Sequence, residues 1–235
     1  MPRAKQPTHT NQLLDALSAG ERDRVLALCD LAELAAGDVL AEAGKPIGHV
    51  YFPTDSFISL VTVMAGGATL EVALVGNEGM IGVSLVLGGQ LASVNAAVQG
   101  AGPAWRMSAA RFRRVMHNSK ELRDALNRYV FVRMSQLGQV AGCTRFHVVE
   151  QRLARWLLMT ADRAHSATFH MTHELLADSL GVRRVGVTRA ASALQKGLLI
   201  EYSRGDIAIL DRKGLERASC GCYGADLATY ARILG

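Results

Sequence analysis

From Thr172 to Gly197 the chain reads Thr-His-Glu-Leu-Leu-Ala-Asp-Ser-Leu-Gly-Val-Arg-Arg-Val-Gly-Val-Thr-Arg-Ala-Ala-Ser-Ala-Leu-Gln-Lys-Gly. At helical spacing, Val187, Ala190, Ala191 and Leu194 form an apolar stripe, and Arg184, Val185, Thr188, Arg189 and Ser192 fall on the opposite face. That face has the chemistry needed to read base edges in a major groove. A guanidinium pairs in bidentate fashion with guanine O6 and N7, hydroxyls bond bases or phosphates, and a valine packs on a thymine methyl.

The residues before and after this face are those needed to position it. Thr172 can cap a first helix whose Leu176 and Leu180 face inward, Ala177 is small where two helices would cross, and Gly181 supplies the turn. Beyond Gly197, residues 198–202 and 207–210 are strand-like and joined by Ser203-Arg204-Gly205-Asp206, a hairpin with an arginine at its tip. Helix, turn, helix and hairpin make a winged helix-turn-helix. Arg184 and Arg189 are then expected to read bases with Val185, Thr188 and Ser192 beside them, and Thr172, Arg183, Lys196 and Arg204 to hold phosphates. An ordinary helical hairpin is the competing reading of these residues.

Upstream, 149–163 reads as a helix, and 120–142 as one long helix with Leu122, Leu126, Val130, Leu137 and Ala141 along one side. Leu126, Val130, Leu137 and Ala141 are expected to meet a second copy of the chain, with Gly138 and Gly142 allowing close approach; packing within one monomer is the alternative. From 37 to 107 the texture changes to short runs rich in Val, Ile, Leu and Thr, at 49–52, 57–64, 69–75, 94–98 and 104–107, separated by glycines. That pattern predicts an antiparallel jelly roll. Residues 11–33 read as two short helices. The expected fold class is α+β, divided as a β-roll over 11–118, a dimerisation helix over 119–145, a winged helix-turn-helix over 146–217 and a tail over 218–235.

A chain of 235 residues suits two small domains. No run approaches the roughly 20 apolar residues that span a bilayer, and residues 1–10 lack the apolar segment of a signal peptide. The expected location is cytoplasmic, with no membrane partner. The net charge of +5 is carried entirely by the second half of the chain, the half that would meet a polyanion. Cys29, Cys143, Cys220 and Cys222 are too scattered for a disulfide framework. Cys220 and Cys222, with His165, His170 and His173, match no familiar ligand spacing, so no metal and no cofactor are expected. The roll offers Asp55, Glu71 and Glu78 but no paired carboxylates for acid–base work and no nucleophile elbow, which argues against an enzyme.

A glycine-punctuated β-roll, a long helix and a winged helix-turn-helix, in that order, resemble the Crp/Fnr family over about 13–215. The resemblance implies a homodimeric transcription regulator that binds a pseudo-palindromic duplex and works with RNA polymerase. In the family's best-known member the recognition helix carries an Arg, a Glu after it and a second Arg four positions beyond the Glu. Arg184 and Arg189 stand at the two Arg positions, and Val185 replaces the Glu. Cyclic-nucleotide-binding members hold the ribose with a Gly-Glu pair and the phosphate with an Arg. Here Gly76-Asn77-Glu78-Gly79 resembles the first motif with Asn77 in the Glu place, and there is no Lys or Arg between Lys45 and Arg106. Gly76, Asn77, Glu78 and Gly79 are the ligand-pocket candidates, together with Leu137 and Gly138, which align with the family's adenine-facing positions. The resemblance to iron–sulfur members fails because Cys29 stands alone near the N-terminus, and a haem would find only His49 in the roll. Control by cyclic AMP through the usual pocket is not expected. The alternative function is a ligand-binding regulatory module that acts on protein partners without binding DNA.

Overall fold

In a computed structural model, which describes residues 7–235, the chain is α+β. Part of the polar stretch 1–10 therefore lies outside the described residues. Two short helices, α1 (Gln12–Asp15) and α2 (Ala19–Leu26), open the described chain, α1 capped by the Asn11 side chain. The second was expected to run to Glu33. Instead Asp30–Leu34 forms β1, because it pairs with β7 (Gly102–Ser108) across the roll, and a long-range ladder outweighs a local helical pattern.

The roll consists of two antiparallel sheets. One has the order β1-β7-β3, with β3 at His49–Pro53; the other is β2-β6-β4-β5, with β2 at Val39–Ala41, β4 at Phe57–Val63, β5 at Thr69–Val75 and β6 at Asn95–Gly100. Val50, Phe52, Met80 and Met107 fill one core with Leu13, Leu14, Val25 and Phe112, while Ile58, Val75, Val98 and Ala104 fill a second. Strand β6 buries Ala96 and Val98 in alternation, as a strand with one covered face must.

After α3 (Ala109–Asn118) comes α4 (Lys120–Phe146), capped by the Ser119 hydroxyl, which accepts from the Leu122 N–H. Leu122, Ala125, Leu126 and Tyr129 from α4 close the first core of the roll. Leu126 and Val130 are only 0 % and 6 % exposed, so these two expected dimer residues are spent inside the protomer. The apolar row open to a partner runs instead along Phe131, Met134 and Leu137, with Gly138 and Ala141 also exposed.

The second domain packs α5 (Val149–Ala164), α6 (His173–Leu180), α7 (Arg184–Lys196) and α8 (Arg212–Ala218) around Leu153, Leu157, Leu176, Val187, Leu194 and Leu215. Its sheet has three strands where two were expected: β8 (Thr168–His170) pairs with β10 (Asp206–Ile209), which pairs with β9 (Ile200–Ser203). The expected C-terminal tail contains a further helix, α9 (Cys222–Ile233), whose Tyr230 reaches back to the roll core together with Leu234 just beyond it. Trp156 Nε1 donates to Glu71 at 2.8 Å, and the Arg163 guanidinium pairs with Glu78 at 2.8 Å, so α5 is joined directly to the roll.

Candidate nucleic-acid interface and sensor cleft

Thr172 caps α6 through its hydroxyl, which accepts from the Leu175 N–H, and α6 ends at Gly181 with φ of +61°. A glycine adopts that left-handed conformation without Cβ strain, so it can redirect the chain into α7. The apolar stripe Val187, Ala190, Ala191 and Leu194 is buried as its spacing requires. Arg183, Arg184, Val185, Thr188, Arg189, Ser192 and Lys196 are all exposed. No Asp or Glu occurs in α7. Among the described residues none of Arg183, Arg184, Arg189, Lys196 or Arg204 forms an ion pair, whereas Arg155, Arg163 and Arg212 elsewhere all do. The open face of α7 is therefore a set of uncompensated cations around one apolar residue, Val185.

Arg204 occupies the wing tip with φ of +52°, followed by Gly205 at +96°, the two positive values that a tight two-residue hairpin turn requires. His170 Nδ1 lies 2.8 Å from the Asp206 carboxylate beside the tip. His173 joins this face without a signal in its sequence pattern. Its ring stacks on Tyr202 of β9 at 4.3 Å, and its Nδ1 stands 3.1 Å from the Thr188 hydroxyl, so it braces the recognition helix against the wing. Burial, and then the nearby Arg184 charge, pull His173 below the usual histidine range. An amphipathic histidine in the first turn of a helix does not by itself reveal a tertiary partner.

In the roll the candidate pocket residues separate. The Gly76–Gly79 turn is filled from within the protein. The Gly76 N–H donates to the Glu78 carboxylate, the Asn77 amide donates to the Thr10 carbonyl, and Asn11 donates to the Gly79 carbonyl. Arg163 occupies the other side of Glu78, and a Cβ added to Gly79 would collide with the Tyr129 hydroxyl. None of these four residues lines the large cleft of the roll; Glu78 instead borders a smaller cleft of about 150 Å³ with Leu13, Ala125 and Tyr230. Gly138 is exposed away from the large cleft as well, and only Leu137 of the six candidates lines the roll cleft.

That cleft, about 670 Å³, lies between the roll and α4, with Leu60, Ile81, Val83, Leu91, Val130 and Met134 among its walls. Arg133 is the one charged side chain among its lining residues, and its guanidinium already donates to Gln136 Oε1 at 2.6 Å. Glu71, fully buried between the roll and α5, accepts from Ser59, Gln99 and Trp156. Burial pushes its carboxyl up to about 7 against the lowering effect of those hydrogen bonds.

The cysteines also regroup. Cys143, Cys220 and Cys222 are buried together, and the histidine beside them is His147. The grouping of Cys220 and Cys222 with His165, His170 and His173 is thus not the one the fold makes. The Cys143 thiol is pulled below its ordinary range by the hydrogen bond shared with Cys220, against the effect of burial, and Cys220 is pushed up by the same contact.

A β-roll joined through a long helix to a winged helix-turn-helix with an open cationic face is the layout of a DNA-binding transcription regulator. Residues 151–218 match the family described as the Crp-like helix-turn-helix domain, and residues 31–119 match the cyclic nucleotide-binding domain. The chain thus carries a cyclic nucleotide-binding domain followed by a Crp-like helix-turn-helix domain, the two domains of a Crp/Fnr-type transcription regulator. Solved structures share its fold at low identity. FixK2 from Bradyrhizobium japonicum is 14 % identical with a TM-score of 0.70, over 82 % of this chain and 98 % of that one. The c-di-GMP responsive global regulator CLP from Xanthomonas campestris is 16 % identical with a TM-score of 0.68, over 82 % and 99 %. A CRP-family transcriptional regulator from Thermus thermophilus is 19 % identical, also at 0.68, over 80 % and 96 %. No curated protein sequence matches the chain. No helix among the described residues is long and apolar enough to cross a membrane.

Proposed function

We propose that the protein is a cytoplasmic homodimer joined along α4 that places two α7 helices in successive major grooves of a pseudo-palindromic site, and that RNA polymerase is its partner at promoters. The observation that carries this reading is the exposed, unpaired cationic face of α7 with Val185 at its centre. Arg184 and Arg189 read bases; Arg183, Lys196 and Arg204 hold phosphates, as does the α6 N-terminus at Thr172. The row Phe131, Met134, Leu137 and Ala141 supports pairing, since it runs along one side of the helix and is exposed in the single chain.

The roll's cleft favours an uncharged or weakly charged effector over a cyclic nucleotide. Enclosing a cyclic phosphate requires a cation and several donors to replace its hydration. The turn that would supply backbone donors is closed by Glu78, and Arg133 is held by Gln136. Selection of bound sequences from random duplex DNA by the purified protein tests the reading. A two-fold related consensus with half-sites about one helical turn apart is expected. An asymmetric single site, or no enrichment, would overturn it.

A further inference from the structure

Four ligand-type side chains that lie far apart in the chain meet at the joint between the two domains. Cys143 and His147 are one turn apart at the C-terminal end of α4, where His147 is the capping residue, and Cys220 and Cys222 flank the start of α9. One atom from each lies within 4.8 Å of every other. Cys143 and Cys220 Sγ are 3.6 Å apart, and Cys222 Sγ is 3.5 Å from His147 Nδ1. With Zn–S of about 2.3 Å and Zn–N of about 2.0 Å, the ligand atoms of a tetrahedral site stand roughly 3.5 to 3.8 Å apart. We propose that Cys143, His147, Cys220 and Cys222 form a closed, structural site for one zinc ion.

The surroundings agree with that charge and chemistry. Three thiolates around a divalent ion leave one negative charge, and α5 brings two arginines to it. Arg155 directs one nitrogen at Cys143 Sγ, 3.9 Å away, and another at Asp226, while Arg152 lines the same small cavity as Cys143 and Arg155. The Gln139 side-chain amide donates to Cys222 Sγ at 2.9 Å, the kind of outer contact that orients a ligating sulfur. Soft thiolates with an imidazole in a tetrahedron select zinc over the hard cations, and four protein ligands leave no open position for catalysis. Packed thiols alone would not require a histidine nitrogen and an amide N–H aimed at the sulfurs. Bound zinc would clamp α9 and the end of α4 together beside α5, at the joint through which a roll signal has to pass.

Elemental analysis of the full-length protein, purified under reducing conditions, tests this. About one zinc per chain is expected. Cys222→Ser and His147→Ala should lose most of it, while Cys29→Ser, remote from the cluster, should keep it. Cobalt added to the chelated wild-type protein should give the intense thiolate charge-transfer and visible bands of a tetrahedral site, and zinc should quench them. Because the wild-type content is read directly, the test does not depend on the variants folding. Metal-free protein that binds neither zinc nor cobalt, a Cys143–Cys220 disulfide, iron with acid-labile sulfide, or zinc retained by a Cys220→Ser/Cys222→Ser variant would each overturn the assignment. None of these results bears on whether α7 reads DNA.

Discussion

The face of α7 and the cleft of the roll are both open to a partner, yet their electrostatics are opposite. On α7 Arg183, Arg184, Arg189 and Lys196 stand exposed without carboxylate partners, whereas the cleft offers one guanidinium that is already engaged and walls of Leu, Val, Ile and Met. The cations of the first surface can release counterions condensed on a polyanion, and an anion would lose hydration in the second without compensation. The two halves of the molecule are therefore suited to ligands of different charge. The ion pairs the first surface lacks are found at the domain joint, where Arg163 meets Glu78 and Arg155 meets Asp226.

The largest expected effect removes the two-fold relation that multiplies the α7 face. Met134, 65 % exposed on α4, is expected in the seam, so Met134→Asp would strand a desolvated charge at a cost of several kcal/mol. Light scattering should show a dimer become a monomer, with specific DNA affinity falling by orders of magnitude. A wild-type protein that is already monomeric would break the seam assignment.

Next in size are the side chains of the face itself. Arg184→Ala or Arg189→Ala should cost about 1 to 3 kcal/mol per half-site and relax preference at one base pair. Arg204→Ala should weaken all sequences alike and reduce the salt slope by about one. Competition binding at several salt concentrations separates the two behaviours; indistinguishable variants would erase the division into base and phosphate contacts.

A smaller effect is expected at Glu71, where the roll meets α5. Its folded carboxyl titrates near 7, above the ordinary value of 4.5. Between those two values the folded state therefore holds a proton that the unfolded state has lost. Its contribution to stability is present below the unfolded value and disappears as pH rises through 7. Urea unfolding at about pH 5 and about pH 8 should show a drop that Glu71→Gln reduces. An unchanged drop in the variant would assign it to other groups.

The cleft itself should give the smallest signal. Calorimetry with cyclic AMP and cyclic GMP is expected to show no binding at tens of micromolar, and added nucleotide to leave DNA affinity unchanged. Micromolar binding that strengthens DNA binding would erase the electrostatic contrast and point to Arg133 as the phosphate partner.

Periodicity made much of the interface legible. A helix buries positions that recur every three or four residues, so Val187, Ala190, Ala191 and Leu194 had to face inward and Arg184, Val185 and Arg189 outward whatever the rest of the chain did. The winged hairpin was equally local, since Arg204-Gly205 is the turn its strands need. Strand runs and glycines likewise pointed to the roll. A Gly-Asn-Glu-Gly string does not say what faces it: here Asn11, Tyr129 and Arg163 pack against the turn, away from the large cleft.

Local spacing thus determined the succession of roll, long helix and winged helix-turn-helix and the exposed face of α7, because those follow from short-range backbone geometry, whereas β1, β8 and α9 did not show in it. Partner choice belonged to the tertiary structure. An apolar position on α4 can satisfy its burial against the roll or against another copy, and only the packing showed that Leu126 and Val130 face inward while Phe131 and Met134 remain open. A cysteine 77 residues from its neighbour gives no sign in sequence of the contact it will make. Cys143 and His147 join Cys220 and Cys222 because α9 folds back on α4, a long-range docking that no window of sequence contains.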